Sequence, residues 1–382
     1  GLPRIRARNC LLIPPNPSCR YTIRMSRPTS AVIDTRAFVA NYRHAKSLAR
    51  GARAVAVIKA NGYGHGAITL GRALAAEADA FAVASCEEAL ELRESGIANP
   101  ILLLEVPFEP GEITDAVHHR LMLVVHSHKQ FDWLLSARPA RPLDLWLKVD
   151  TGMHRLGFEP RELANVHARL SASPNIGQIT LMSHFARADE TDSPATRHQI
   201  QRFREASRGI DAPVSLANSA TVLAWPEAHA DWIRPGIMLY GSSPFESANP
   251  AADALQPVMR LESELIAIHE LGAGDSIGYG ARYTCDKPTR VGTVAMGYAD
   301  GYPRHAPDGT PVAVNGQLTR LIGRVSMDML TVDLSDQPDA QIGDPVQLWG
   351  DRVSANQVAR LSGTISYELF TGITRRVHLR YL

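Results

Sequence analysis

Between residues 54 and 241 the chain repeats one pattern: a short apolar run, a polar turn, then a segment with apolar residues at helical spacing. The runs are AVAVI ending at Ile58, FAVAS at Ser85, PILLLE at Glu105, LMLVVHS at Ser127, LDLWLKVD at Asp150, IGQITLMSHFA at Ala186, PVSLANS at Ser219 and WIRPGIMLYG at Gly241. Runs that are apolar at successive positions bury both faces, as parallel strands covered by helices do. Stretches such as CEEALELRESG and ELANVHARLSA supply the helices. Eight strands alternating with helices predict a TIM-like (β/α)8 barrel over 36–245. In that fold the chemistry gathers at the C-terminal ends of the strands, where Lys59, Lys148, His184, Ser219 and Arg234 fall.

Ahead of the repeat, TSAVIDT reads as a strand, and residues 25–35 are assigned to the second domain's sheet. Asp34 or Thr35 can cap the helix that follows, on which Phe38, Tyr42, Ala45 and Leu48 recur. The stretch 242–257, SSPFESANPAADALQP, is polar and rich in proline and small residues, as domain linkers are. Beyond it ELIAIHEL, SIGYG, TRVGTVAMGY, VAVNGQLTRLIGRVSM, MLTVDLS and DPVQLWG are strand-like, with DG and NG turns and one helical stretch, ANQVARLSG. A C-terminal mostly-β domain over 246–382 is expected.

Composition narrows the function classes. With 382 residues, 45% hydrophobic and net charge +1, the chain has room for two domains and no basic footprint for nucleic acid or a membrane surface. No apolar run approaches the roughly 20 residues that span a bilayer. Cys10, Cys19, Cys86 and Cys285 show neither metal-type spacing nor a disulfide framework, which suggests a reducing, cytoplasmic setting. The first 24 residues hold five arginines and no acid, and read as an extension outside the fold.

Two strings carry most of the chemistry. In AVAVIKANGYGHG an apolar strand delivers Lys59 to a turn that Gly62, Gly64 and Gly66 allow to be tight. A lysine hard to solvate loses proton affinity, and its neutral amine can then form a Schiff base. In LWLKVDTGMHRLGF, Lys148, Asp150 and Arg155 gather at another strand end; a guanidinium fork there suits a substrate carboxylate. Weaker alone are MSHFARADE with His184, ANSA with Ser219, and DSIGYGARYT with Tyr279. A strand histidine, an Asn-Ser turn and a turn tyrosine are each ordinary in isolation.

Together these strings resemble the alanine racemases, over most of the chain from Met25 onward. GYADGYPR, GRVSMDM and ISYELF extend the likeness. The resemblance implies pyridoxal 5'-phosphate (PLP) on Lys59, its phosphate on Tyr63, Ser219, Gly236, Ile237 and Tyr367, and Arg234 with His184 at the pyridine nitrogen. It implies Arg155, braced by a carbamylated Lys148, on the carboxylate of alanine, with Met327 beside it and Asp328 and Tyr298 in support. Lys59 and Tyr279 would be the two bases that exchange the α-proton through a PLP aldimine, with Tyr279 in a Tyr279–His184–Arg234 chain. A homodimer with shared sites is implied, and no metal. An arginine at the pyridine nitrogen donates a hydrogen bond without protonating the ring, which favours a short-lived carbanion over decarboxylation or transamination. A broad-specificity amino-acid racemase and a non-catalytic PLP-binding barrel protein are the alternatives. Ser326 stands where a cysteine is usual, and the tail LFTGITRRVHLRY departs from the common ending, so the resemblance assigns it no role.

Overall fold

The computed structural model describes residues 27–382, so the extension 1–24 and the first two positions of the 25–35 segment lie outside the described residues. β1 (Ser30–Ile33) comes first. Eight parallel strands then close a barrel: β2 (Arg53–Val57), β3 (Ala80–Val83), β4 (Ile101–Leu103), β5 (Leu121–Val125), β6 (Leu143–Lys148), β7 (Ile176–Met182), β8 (Val214–Ser215) and β9 (Trp232–Ile233). Closure is direct, with Arg53 opposite Trp232 and Ala54 opposite Ile233. Each of the eight runs read from the sequence supplies one strand, and the barrel architecture stands as expected.

The last run is a strand only at Trp232 and Ile233; Pro235 and Gly236 end it, and Ile237–Tyr240 winds into a short 3-10 turn. The helices form as their patterns require. Asp34 caps Thr35–Leu48 by accepting the N–H groups of Arg36 and Ala37 at 2.9 and 3.0 Å, and that helix buries Phe38, Tyr42 and Ala45.

The remaining strands are β10 (Met259–Leu271), β11 (Ser276–Ile277), β12 (Tyr283–Thr284), β13 (Thr289–Val294), β14 (Pro311–Val314), β15 (Gln317–Arg320), β16 (Leu330–Asp333), β17 (Pro345–Trp349) and β18 (His378–Tyr381). The main sheet runs β15-β14-β17-β10-β1-β18, with β13 and β16 branching from β10. β1 lies between β10, antiparallel, and β18, parallel, so both ends of the described chain meet in this sheet. Two helices interrupt the strands where the sequence reading expected one: Ala355–Leu361, and Ser366–Thr371 from ISYELF. The second is only six residues long, too short to show a helical period.

The polar stretch after the barrel is anchored rather than loose. The Asn41 amide donates to the Leu239 and Gln256 carbonyls at 3.1 and 2.8 Å and accepts the Gln256 N–H at 2.9 Å. One apolar core continues from the barrel through Met259 and Leu261 to Trp349 and Phe370.

Candidate active site

Just past β2, Lys59 opens a turn in which Ala60, Asn61, Gly62, Tyr63 and Gly64 take φ of 52°, 53°, 60°, 48° and 77°. This is a turn of left-handed helix, which costs an L-residue about 1–2 kcal/mol. Glycine and asparagine tolerate it; Ala60 and Tyr63 do not, and their surroundings must impose it. The Ala60 N–H donates to Glu88 Oε1 at 2.6 Å and the Ala67 N–H to Asn61 Oδ1 at 3.0 Å. His65 Nδ1 lies 2.8 Å from the Tyr63 carbonyl and 3.1 Å from that of Gly62. Burial lowers the His65 pKa to about 4, so the ring is neutral and, as the donor tautomer, bonds both. A Cβ on Gly64 would sit 2.1 Å from the Phe370 carbonyl oxygen, so only glycine fits. Lys59 and Tyr63, one turn apart, both line the same cavity.

That cavity, about 750 Å³, opens at the C-terminal ends of the strands. It brings together Lys59, Tyr63, Lys148, Arg155, His184, Ser219, Arg234, Gly236, Ile237 and Tyr367. Its charged lining is Lys59, Lys148, Arg155 and Arg234 against Glu105 and Glu368, which suits an anionic occupant. A depression of about 820 Å³ beside Ile113, Val117 and Trp133 is larger but gathers none of these groups.

Arg234 is buried, and burial lowers its pKa to about 10, which leaves it charged at neutral pH. Nη1 donates to Ser215 Oγ at 2.5 Å; Nη2 donates to the Ser183 and Leu216 carbonyls at 2.6 and 3.3 Å. Nη2 also lies 3.4 Å from His184 Nδ1, which must accept. Burial first, then the positive charges of Arg234 and Lys148, hold His184 well below the ordinary imidazole range, so it is neutral. Lys148 closes β6, and burial followed by the charges of Arg234 and Arg155 brings it down to about 8.

Asp150 Oδ1 accepts the N–H groups of Gly152, Met153 and His154 at 2.9, 3.0 and 3.0 Å, folding the DTGMHR turn that carries Arg155. Burial raises the Asp150 pKa, but these hydrogen bonds outweigh it and hold the carboxyl below its usual range.

On the far wall Ser219 Oγ accepts the Gly236 and Met238 N–H groups at 2.8 and 3.3 Å. A Cβ on Gly236 would stand 2.7 Å from the Tyr63 hydroxyl, so the glycine leaves this approach open. Tyr63 stacks on Tyr240 at 4.6 Å and tilts against Tyr367 at 5.8 Å. Burial raises both the Tyr63 and Tyr367 pKa values, so these phenols remain neutral donors.

Tyr279, Tyr298, Met327 and Asp328 are not in the cavity. Tyr279 sits between β11 and β12 and is 70% exposed; Tyr298 and Met327 are also exposed, on two loops joined by the Tyr298 N–H donating to the Ser326 carbonyl at 3.0 Å. The His184–Arg234 contact is therefore made within the chain, whereas Tyr279 does not reach it there.

The sequence reading passed over Glu105, whose carboxylate is 3.6 Å from Lys59 Nζ. The signal was the one that selected Lys59: Glu105 closes the apolar run PILLLE just after β4. It also passed over Glu88 and His65, which hold the left-handed turn.

The model of the alanine racemase N-terminal domain matches residues 33–244, and that of the alanine racemase C-terminal domain matches residues 258–381. The chain is 56% identical over 355 residues to alanine racemase of an Azoarcus species, covering 93% of this chain and 99% of that protein. It is 54% identical over 349 residues to the catabolic alanine racemase of Pseudomonas aeruginosa, covering 91% and 98%. The crystal structure of biosynthetic alanine racemase from Pseudomonas aeruginosa superposes with a TM-score of 0.91 at 50% identity, covering 93% of this chain and 99% of that one. The chain belongs to the alanine racemase family.

Proposed function

We propose that this chain interconverts L-alanine and D-alanine with PLP as cofactor. One observation carries the reading: Lys59 and Tyr63, set one turn apart by the left-handed helix, face a cavity that also takes in Arg155, Ser219 and Arg234. The residues fit the cofactor. The glycine-backed approach between Tyr63 and Gly236 and the Ser219 hydroxyl supply donors and space for a phosphate. The Nη groups of Arg234 are taken by Ser215, Ser183 and Leu216, which leaves Nε–H for the pyridine nitrogen. Lys59 would hold the aldehyde end, and Tyr63, Ser219, Gly236, Ile237 and Tyr367 the phosphate. When bound, PLP supplies an electron sink conjugated to the substrate amine, which acidifies the α-proton.

The rest is the work of this chain's residues. Arg155 binds the alanine carboxylate through its fork and so fixes which way the α-proton points. Lys148, as the neutral amine that its lowered pKa favours, takes up carbon dioxide, loses a proton and becomes a carbamate. The new negative charge lies beside Arg155 and holds it. Neutral His184 accepts from Arg234 and stays uncharged among the cations.

Lys59 Nζ, once free of the cofactor, exchanges the proton on one face of Cα. Tyr279 exchanges it on the other, because inversion needs a base on each face. As Tyr279 lies on the outer surface, we infer that a second copy of the chain brings it in, making a homodimer with two composite sites. Chiral analysis of purified, PLP-loaded protein incubated with L-alanine tests the activity. Conversion toward an equal mixture of enantiomers is expected, and unchanged L-alanine refutes the reading.

A further inference from the structure

Asp300 is fully buried and lies outside the cavity. A buried carboxylate is costly unless it is paired and hydrogen-bonded. Arg27 Nη2 donates to its Oδ2 at 2.6 Å, and the Gly297 N–H donates to the same oxygen at 2.9 Å. Arg376 Nε stands 3.3 Å from Oδ1. Neither arginine stops there. Arg27 Nη2 also donates to the Asp328 and Ala295 carbonyls at 2.8 and 3.2 Å, and Arg376 Nη2 donates to the Asp328 carboxylate at 2.6 Å.

The backbone around this centre is tied as tightly. The Tyr298 and Ala299 N–H groups donate to the Ser326 and Met327 carbonyls, both at 3.0 Å. Thr374 Oγ1 donates to the Ala299 carbonyl at 2.8 Å. A Cβ on Gly297 would meet the Met327 carbonyl oxygen at 2.2 Å, so the two loops touch with no slack. One buried anion thus fastens the first described residue, the lead into β18, and the two loops that present Tyr298 and Met327 to solvent.

Apolar packing of similar volume stabilises a fold at least as well as a buried ion cluster does. The cluster adds geometry: directed bonds set the Asp328 carboxylate and the Met327–Asp328 backbone in one place. We propose that Asp300, with Arg27 and Arg376, is a positioning unit that fixes the height of Met327 and the direction of Asp328 on the face completing the alanine site of the other subunit. This rests on the shared-site reading above. It gives the arginine-bearing tail, unassigned by resemblance, a role in substrate binding, one subunit away from the Lys59 it serves.

Arg376→Gln tests it. The side chain is partly exposed, so the variant should fold, dimerise and take up PLP with the wild-type absorption spectrum. The KM for alanine should rise about tenfold while kcat falls less than threefold, since the loss is of substrate placement and not of a base. Arg376→Lys keeps the charge but not the two-sided reach, and should show a smaller rise; it replaces the glutamine variant if that one does not fold. Mixing Arg376→Gln with Lys59→Ala subunits then locates the effect. Hybrids contain one site with an intact Lys59 facing an intact Arg376 network, so a component with wild-type KM should appear. Unchanged KM in a folded, PLP-loaded dimer would overturn the proposal, as would hybrids that keep only the raised KM. A wild-type protein that does not racemise alanine, or is monomeric, would instead overturn the reading on which it rests.

Discussion

The barrel rim and the sheet domain treat their chemistry in opposite ways. At the rim, ten of the candidate residues converge on one cavity, held by a left-handed turn, an Asp150-capped loop and a buried arginine. On the sheet domain, Tyr279, Tyr298 and Met327 lie outside that cavity and are exposed. Of the two bases proposed, Lys59 lines the cavity at the rim. The second proposed base, Tyr279, lies outside this cavity and is 70% exposed. We propose that the division of labour is between subunits, with Lys59 supplied by one chain and Tyr279 by the other.

The sharpest break of this contrast is Lys59→Ala. Racemisation should fall by about 1,000-fold or more, together with loss of the covalent pyridoxyl label after borohydride reduction. A label still found on the chain would move the cofactor's anchor elsewhere. Tyr279→Phe should cost about 100- to 1,000-fold in activity while PLP stays bound to Lys59, because the role proposed for Tyr279 is proton exchange and not cofactor binding. Loss of bound PLP from this variant would give Tyr279 a part in holding the cofactor instead. Arg155→Lys loses the fork but keeps the charge, and should raise KM for alanine about 10- to 100-fold in steady-state kinetics.

The smallest effect concerns Lys148. Its pKa falls from 10.5 to about 8 on folding, so at pH 7 both folded and unfolded chains hold the proton and the folded one bears the cost of burying it. That cost is fully present below pH 8 and disappears as pH rises toward 10.5, since there the unfolded chain binds the proton more strongly. Lys148→Met should therefore raise stability at pH 7 by about 1–3 kcal/mol in carbon dioxide-free buffer, measured by denaturant unfolding. The gain should shrink at higher pH, and also in bicarbonate, where the wild-type lysine is masked as its carbamate. A gain independent of both would leave the carbamate without support.

The barrel was legible because each strand is an unbroken apolar run, and a strand buried on both faces has no other way to appear. The strand ends expected within these runs located Lys59, Lys148 and Arg234. The left-handed turn was not legible: Ala60 and Tyr63 have no preference for positive φ, and the contacts that impose it come from Glu88 and His65 after folding. Glu105 carried the right signal, but an acid at a strand end suggested no chemistry until its distance from Lys59 was known. The Asp300 cluster was invisible because Arg27 and Asp300 are 273 positions apart, beyond any local pattern.

Subunit mixing tests the central claim most directly. Lys59→Ala and Tyr279→Phe are prepared as separate, nearly inactive proteins, exchanged, and the hybrids verified with a size-tagged partner. On the shared-site account a hybrid collects both lesions in one site and leaves the other intact. Random mixing makes about half of the dimers hybrid, so roughly a quarter of wild-type activity should return. Verified hybrids no more active than the separate variants would mean that both bases act from one chain, and would contradict the account.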